Sequence, residues 1–301
     1  MPLLRTVAES LSNNDLIAGV VEEIIDRDEL YALMPFVKTS GKAYVYNREG
    51  TLSEGEFIDV NQVVPEGAST VIEVTTKLRV LAGDVDVDKF LDETMDDTNT
   101  QKAIQIAMKA KGLGRKFRRA LVNGDNATNP LEFDGINKIT AEVGNELEAS
   151  ADGGALTLSI LDELKDAVPN MPDAYMMRSG TLRALKQLLR AAGGNTAEMF
   201  QIENFGRSIP AFDGVPIIIN DFIAGDVAHG SATKTCSIYA VRLNEVDGLH
   251  GLYGGASAGI RVEELGTVQN KDATRTRLKW YCGLALKSTQ SIAAIRGVTN
   301  V

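Results

Sequence analysis

Residues 99–125 constrain the fold most, because they read as one long amphipathic helix that stops abruptly. Apolar residues recur three or four positions apart and form one stripe: Ile106, Ala110, Leu113, Phe117 and Leu121. Thr98 or Asn99 can cap the start of the helix. Asn123-Gly124 can end it, since glycine adopts the left-handed conformation of a C-terminal cap. At about 1.5 Å per residue, some 23 helical residues span roughly 35 Å, which suits a strut.

The charges of this helix are all basic, and no Asp or Glu lies between Thr98 and Gly124. Its basic residues are Lys102, Lys109, Lys111, Arg115, Lys116, Arg118 and Arg119. The preceding residues 49–96 are strongly acidic, with only Lys77, Arg79 and Lys89 opposing the acids. The pattern is compatible with a solvated basic helix, with neutralisation inside the chain, or with pairing between one chain's acidic segment and the next chain's helix.

Composition limits the class of protein. The chain has 301 residues, ordinary hydrophobic content and a net charge of −10, which argues against tight generic DNA binding. No run of about 18 apolar residues predicts a transmembrane helix, and no secretory signal is visible. Cys236 and Cys282 are far apart in sequence, and two buried thiols in a reducing cytosol are expected.

Two predicted strands flank a long, weakly patterned segment. Residues 43–46 alternate in polarity, and 70–81 are rich in β-branched residues. About twenty residues between them are polar, acidic and glycine-rich, which is unusual inside a compact domain. The pattern therefore predicts a long hairpin arm that lies on another subunit.

The second half of the chain mixes helices and strands. Helices are predicted over 156–168 and from 179 to the glycines at 193–194, with strands at 175–177, 209–223 and 235–242. Residues 277–286 alternate cleanly, which predicts a strand with one face on a core. A strand that returns after an inserted α/β region implies an α+β fold with a discontinuous first domain.

Signals for catalysis or metal binding are weak. His229 and His250 lie beside glycines without other ligands at metal spacing. Asp84, Asp86 and Asp88 have the spacing of the first three ligands of an EF-hand calcium loop. The sixth and twelfth positions lack the glycine and glutamate that such a loop requires, so a solvated strand face is the simpler interpretation. Cys282 lies on the apolar side of its strand. No catalytic, cofactor or metal residue is predicted, and the chain is not expected to be an enzyme.

The order of short motifs resembles major capsid proteins of tailed bacteriophages with the Hong Kong 97-like fold. VNGD at 122–125 with FDGI at 133–136 resembles the family's exit from its long spine helix. Further similar motifs are LAGDVDVD at 81–88, RSGTL at 178–182, PAFDGVPI at 210–217 and YCGLA at 281–285.

The resemblance implies a division into four regions: an N-terminal arm and helix (1–36), an extended loop (37–81), a peripheral domain (82–155 and 260–301) with a spine helix at 99–122, and an axial domain (156–259). It also implies pentamers and hexamers that form an icosahedral shell, first a procapsid and then a mature head, around double-stranded DNA. Further expected partners are a separate scaffolding protein, a portal and a decoration protein. The expected location is the virion, after assembly in the bacterial host cytoplasm.

Contacts between subunits are expected on two segments. On the extended loop they are Glu49, Glu54, Glu56, Phe57, Ile58, Val63 and Val64; on the spine helix they are Lys111, Arg115, Lys116, Arg118 and Arg119. Reversing the charges of Arg118 and Arg119 is expected to block assembly and leave the fold intact. The alternative is an encapsulin-type compartment that holds protein cargo, and a remote one is an enzyme on an unrecognised α+β fold.

Overall fold

The computed structural model describes residues 33–41, 43–50, 53–64, 66–94, 101–169, 171–193, 199–201, 208–255 and 259–300. The N-terminal arm and helix predicted over 1–36 therefore lie mostly outside the described residues. The helices are α1 (Lys89–Thr94), α2 (Gln101–Asn123), α3 (Ile136–Val143), α4 (Leu158–Asp166) and α5 (Ser179–Ala191). A 3-10 turn spans Thr289–Ser291.

The strands begin with β1 (Phe36–Thr39), β2 (Ala43–Glu49), β3 (Val71–Lys77), β4 (Arg79–Asp88) and β5 (Glu146–Glu148). They continue with β6 (Ala174–Met177), β7 (Met199–Gln201), β8 (Ser208–Phe212), β9 (Val215–Ile219) and β10 (Val227–His229). The last are β11 (Ala232–Val241), β12 (Leu249–Gly254), β13 (Arg261–Thr267), β14 (Ala273–Leu286) and β15 (Ile292–Val298).

Two sheets carry the fold. The first has the order β1-β12-β14-β13, with β4 also paired antiparallel to the long strand β14. The second has the order β5-β15-β11-β6-β9-β8-β7, with β10 paired to β11. One buried apolar cluster runs through both, from Phe117 and Trp280 at the first sheet to Leu161, Leu185 and Ile238 at the second. The predicted α+β architecture is therefore present.

The predicted alternation of the strand at 277–286 is confirmed for residues 277–282, whereas 283–286 are buried on both faces, because Ala285 packs against Tyr46 of the ribbon. Leu278, Trp280 and Cys282 are buried, whereas Arg277 and Lys279 on the opposite face are partly exposed. Because successive side chains of a strand point to opposite faces, one face packs on the core and the other presents charges.

The predicted spine helix is present as α2, within its described residues. Leu113, Phe117 and Leu121 of the predicted stripe are buried, while Ile106 and Ala110 are partly buried. The ring centroids of Phe117 and Trp280 lie 4.3 Å apart, so the helix is anchored on the apolar face of β14.

The exit of the spine helix corrects one prediction. The Gly124 backbone is not left-handed; a side chain there would instead collide with the carbonyl oxygens of Ala120 and Phe133. The Gly135 amide donates to the Gly124 carbonyl at 2.8 Å. Glycine is required at Gly124 by close backbone packing, and the sequence pattern alone did not distinguish this from a cap.

Sheet membership differs from the predicted domain boundaries at two strands. β12 lies within the predicted axial segment but pairs with β14 in the first sheet. β15 lies within the predicted peripheral segment but pairs with β11 in the second sheet. Hydrogen bonding between distant strands decides membership, and local sequence patterns do not encode it.

Candidate assembly surface

The predicted hairpin arm is present as a two-stranded ribbon. β2 and β3 pair antiparallel from Ala43↔Lys77 to Glu49↔Val71, and their sheet contains no other strand. Tyr46 and partly buried Tyr44 and Val74 pack on a small apolar cluster with Leu252 and Ala285. The stem of the ribbon therefore rests on the body, whereas its tip does not.

The tip of the ribbon exposes apolar side chains to solvent. Every described residue from 53 to 70 is exposed. The relative exposure is 109% for Phe57, 90% for Val63, 71% for Val64 and 44% for Ile58. A cluster of exposed apolar residues of this kind is typical of a surface that becomes buried in an assembly.

The acidic residues predicted for this arm are also exposed. Glu49 lies at the end of β2, and Glu54 and Glu56 lie on the tip. Among the described residues, no ion pair joins these three acids to the basic spine helix. Within the described chain, the structure therefore does not bring the predicted contact residues of the arm and the helix together.

The basic residues of α2 have different environments. Arg115 is exposed and Lys111 is partly buried, while Lys116 forms an ion pair with Glu132. The Arg119 guanidinium lies 5.2 Å from the centroid of the Phe222 ring.

Arg118 is partly buried, and its Nη2 donates to the Ile219 carbonyl at 2.8 Å. It therefore joins the helix to β9 within one chain. Charge reversal at Arg118 would break this contact, so the expectation that the Arg118 and Arg119 double variant keeps the fold intact is not supported. Exposed Arg115 is the cleaner position for a charge test.

Two of the three aspartates of β4 form ion pairs and are not simply solvated, while Asp88 accepts from the Phe90 amide. Asp86 accepts two hydrogen bonds from Arg275 at 2.6 Å each, and Asp84 accepts two from Arg277 at 2.7 and 2.8 Å. These hydrogen bonds, together with the positive charges, lower the pKa of both carboxyl groups below the ordinary value. Asp84 and Arg277 are directly opposite in the β4–β14 register, as are Asp86 and Arg275.

The histidines and cysteines show no catalytic arrangement. His250 is buried against the Tyr44 ring, and burial lowers its pKa. Burial raises the pKa of the Cys282 thiol to about 12 and also raises that of Cys236, so neither thiol is activated. Within the described ranges, no group of three or more His, Cys, Asp or Glu residues could hold a metal ion.

A polar cavity of about 300 Å³ lies beside β15. Its central Arg296 is already bound by Glu146, Asn137, Ser237 and Tyr239. In the part of the chain that is described, no helix is long and apolar enough to cross a membrane.

Sequence reasoning missed the residues that hold the arm. Tyr46 and Arg48 both donate to the backbone carbonyl of Leu286, at the end of β14. The alternation predicted for 43–46, had it been extended by two residues, would have placed Tyr46 and Arg48 on one face of the ribbon. Their acceptor is a backbone atom far away in sequence, which no side-chain pattern reveals.

A long helix packed on a sheet, with a projecting arm that exposes apolar residues, defines a subunit built to associate with others. The model of the phage capsid family matches residues 10–295. Comparison with curated proteins gives no match.

Solved structures with a similar fold include an encapsulin complex, the capsid of a GTA particle and a phage chain. The holo-SrpI encapsulin complex of Synechococcus elongatus PCC 7942 matches with a TM-score of 0.72 at 20% identity, over 99% of this chain and 96% of that chain. The capsid of a native GTA particle matches at 0.65 and 14% identity, over 89% of each chain. A Mycobacterium phage Cain chain matches at 0.61 and 14% identity, over 98% of each chain.

The chain belongs to the phage capsid family, and the predicted Hong Kong 97-like fold is confirmed. It is a major capsid protein: a structural subunit that associates with itself into an icosahedral shell and is located in the virion capsid.

Proposed function

We propose that this chain assembles as pentamers and hexamers into a procapsid and then a mature head that encloses double-stranded DNA. The observation that carries the proposal is the arm, because the apolar side chains of its tip are exposed in the described chain. Phe57, Ile58, Val63 and Val64 would be covered by the next subunit.

Coverage of the tip supplies the driving force for assembly. At about 25 cal/mol per Å² of apolar area, a few hundred Å² per contact contributes several kcal/mol before entropic costs. Each subunit makes many contacts, so modest energies give a stable shell. No cofactor is required by this mechanism.

Electrostatic pairing would align neighbouring subunits. The exposed acids Glu49, Glu54 and Glu56 of one arm would face Lys111, Arg115, Lys116 and Arg119 on the spine helix of the next subunit. Such exposed pairs determine register and encounter rate more than affinity. Arg118 would support this surface from within its own chain.

The regions and partners follow from this role. The extended loop would be 37–81, the peripheral domain 82–155 and 260–301, and the axial domain 156–259. Of the two strands that depart from this division, β12 pairs in the first sheet and β15 in the second. A scaffolding protein, a portal and a decoration protein would assist, and assembly would occur in the bacterial host cytoplasm. Contact with packaged DNA would be weak and non-specific, because the chain has a net charge of −10.

An encapsulin-type compartment is the second candidate, favoured by the likeness to the holo-SrpI encapsulin. At 20% identity that likeness shows the fold alone. The two candidates differ in their contents, since one encloses nucleic acid and the other protein cargo.

Electron microscopy of the purified protein, with light scattering for mass, tests the proposal. Closed icosahedral shells, or free pentamers and hexamers, are expected, with nucleic acid inside shells isolated from the native source. A uniform monomer or dimer, even with scaffolding protein supplied, would overturn it. Shells loaded with protein cargo would favour the compartment.

A further inference from the structure

The arm is attached to the body by two short joints. On one side, the chain passes from β1 to β2 through Gly41, whose φ of +116° is a conformation that favours glycine. On the other side, Leu78 alone separates β3 from β4. Because the ribbon pairs with no other strand, no sheet hydrogen bonds fix its angle to the body.

Besides the apolar cluster, one backbone carbonyl of the body holds the stem of the arm. The Leu286 oxygen accepts from the Tyr46 hydroxyl at 2.7 Å, from Arg48 Nε at 3.0 Å and from Arg48 Nη2 at 2.6 Å. The Arg48 guanidinium also lies 5.7 Å from the centroid of the Tyr46 ring. We call Tyr46, Arg48 and the Leu286 carbonyl the latch.

A cavity of about 270 Å³ lies beside the latch. The ribbon forms one wall, and the loop after the spine helix and α3 form the other; its lining includes Thr76, Arg79, Asn126, Asp134 and Glu142. This space beside the stem of the ribbon allows the ribbon to pivot without displacing the buried core. Rigid core packing would not allow this.

We propose that the latch sets the angle at which the arm leaves the body, and that it opens and re-forms as the subunit takes different positions in the shell. This inference rests on the proposed function, because one chain in pentamers and hexamers meets its neighbours at more than one angle. Seven paired residues at about 3.3 Å each make a stem of roughly 23 Å, so a pivot of about 20° moves its far end by roughly 8 Å.

The test compares two double variants. Tyr46→Phe with Arg48→Gln removes the hydroxyl and the charged guanidinium of the latch. The matched control is Tyr44→Phe with Lys38→Gln, which also removes one hydroxyl and one charge. Neither control side chain makes a hydrogen bond or ion pair among the described contacts.

Two measurements on the dispersed subunit report the arm angle. The first is the distance distribution between spin labels at Ala68→Cys on the tip and Asp162→Cys on α4, which are both exposed. Native Cys236 and Cys282 are buried and will not react. The second is amide hydrogen exchange in the ribbon.

The latch variant is expected to broaden the distance distribution and to raise exchange in the ribbon about tenfold, since bonds to a charged donor are lost. The control is expected to match the wild type. A latch variant with the wild-type distribution and exchange rates would overturn the inference. If the double variant does not fold, Tyr46→Phe against Tyr44→Phe makes the same comparison. Failure of the wild type to form shells would overturn the proposed function and leave this subunit measurement valid.

Discussion

At the scale of single residues, Gly124 and Gly135 hold the exit of the spine helix in place. Gly135 approaches the last turn of the helix so closely that a Cβ on it would lie 2.7 Å from the Ala120 carbonyl oxygen and 2.9 Å from that of Leu121. The three atoms nearest to such a Cβ are backbone atoms, which a rotamer change cannot move. This close backbone packing explains why the motifs at 122–125 and 133–136 each contain a glycine.

Gly135→Ala is expected to destabilise the subunit by about 1–3 kcal/mol, because the added methyl group displaces backbone. Gly112→Ala, in the middle of the spine helix, is the control. A Cβ there meets nothing within 4 Å, so alanine is expected to stabilise by about 0.5–1 kcal/mol. Urea unfolding of the dispersed subunit measures both changes. Equal stability of the two variants would contradict the packing explanation.

At the scale of elements, paired charges join β4 to β14 and extend to the spine helix. The side chain of Lys109 lies against Gly83 and adds to the positive charge near Asp84. Lys102 forms an ion pair with Glu264 at 2.6 Å, and Lys279 forms one with Glu263 at 2.6 Å. Part of the basic charge of the helix is thus neutralised inside the chain, which is one of the alternatives that the sequence left open.

Asp86 provides a pH test of this charge pairing. Arg275 lowers the pKa of Asp86 in the folded chain relative to the unfolded chain. The pair therefore contributes stability above the unfolded pKa of about 4, and this contribution is lost as the pH falls through the lower folded pKa.

Asp86→Asn is expected to be less stable than the wild type at pH 7, with the difference shrinking as the pH falls below about 4. The exposed Asp226→Asn serves as the control and is expected to follow the wild type. Urea unfolding across this pH range measures the difference. A constant difference between Asp86→Asn and the wild type at all pH values would show that packing, rather than charge, explains the loss.

Local patterns predicted the elements better than their partners. The stripe of α2 and the alternation of β14 are periodic, and periodicity follows directly from helix and strand geometry. The membership of β12 in the first sheet and of β15 in the second depends on pairing between residues that are far apart in the sequence. The hydrogen bonds to the Leu286 carbonyl of the latch likewise join distant residues. Among the residues predicted to contact other subunits, the exposure of the arm tip could be predicted from its polar, acidic and glycine-rich composition. The hydrogen bond of Arg118 to its own chain could not be predicted from composition. The sequence pattern of a basic helix residue is the same whether its side chain contacts a neighbouring subunit or its own chain.

At the scale of the whole molecule, subunits are expected to recognise one another through the basic surface of the spine helix. Arg115→Glu is expected to raise the protein concentration needed for assembly, because it would face the acids of a neighbouring arm. Added salt should reduce the defect by screening the repulsion. Arg183→Glu on α5, also exposed, is the control. Light scattering at low and high salt measures assembly. Arg115→Glu shells that form like the control at low salt would remove the electrostatic part of the proposal.

The tip of the arm gives the last prediction, because its apolar side chains are exposed in the isolated chain. Phe57 is fully exposed, so Phe57→Ser is expected to change the free energy of unfolding by less than about 0.5 kcal/mol. Burial of a phenylalanine side chain in the assembly is worth about 1.5–3 kcal/mol per contact, so assembly should require at least about tenfold more protein.

Val246→Ser separates this effect from a general loss of surface hydrophobicity, since Val246 is 77% exposed but lies outside the arm. Sedimentation of assembled shells against free subunits, over a concentration series, compares the two variants with the wild type. If Phe57→Ser and Val246→Ser assemble alike, the tip is not the surface that neighbours cover. If only Phe57→Ser fails while its unfolding curve is unchanged, the same residues that look misplaced in the isolated chain are the ones that the shell buries.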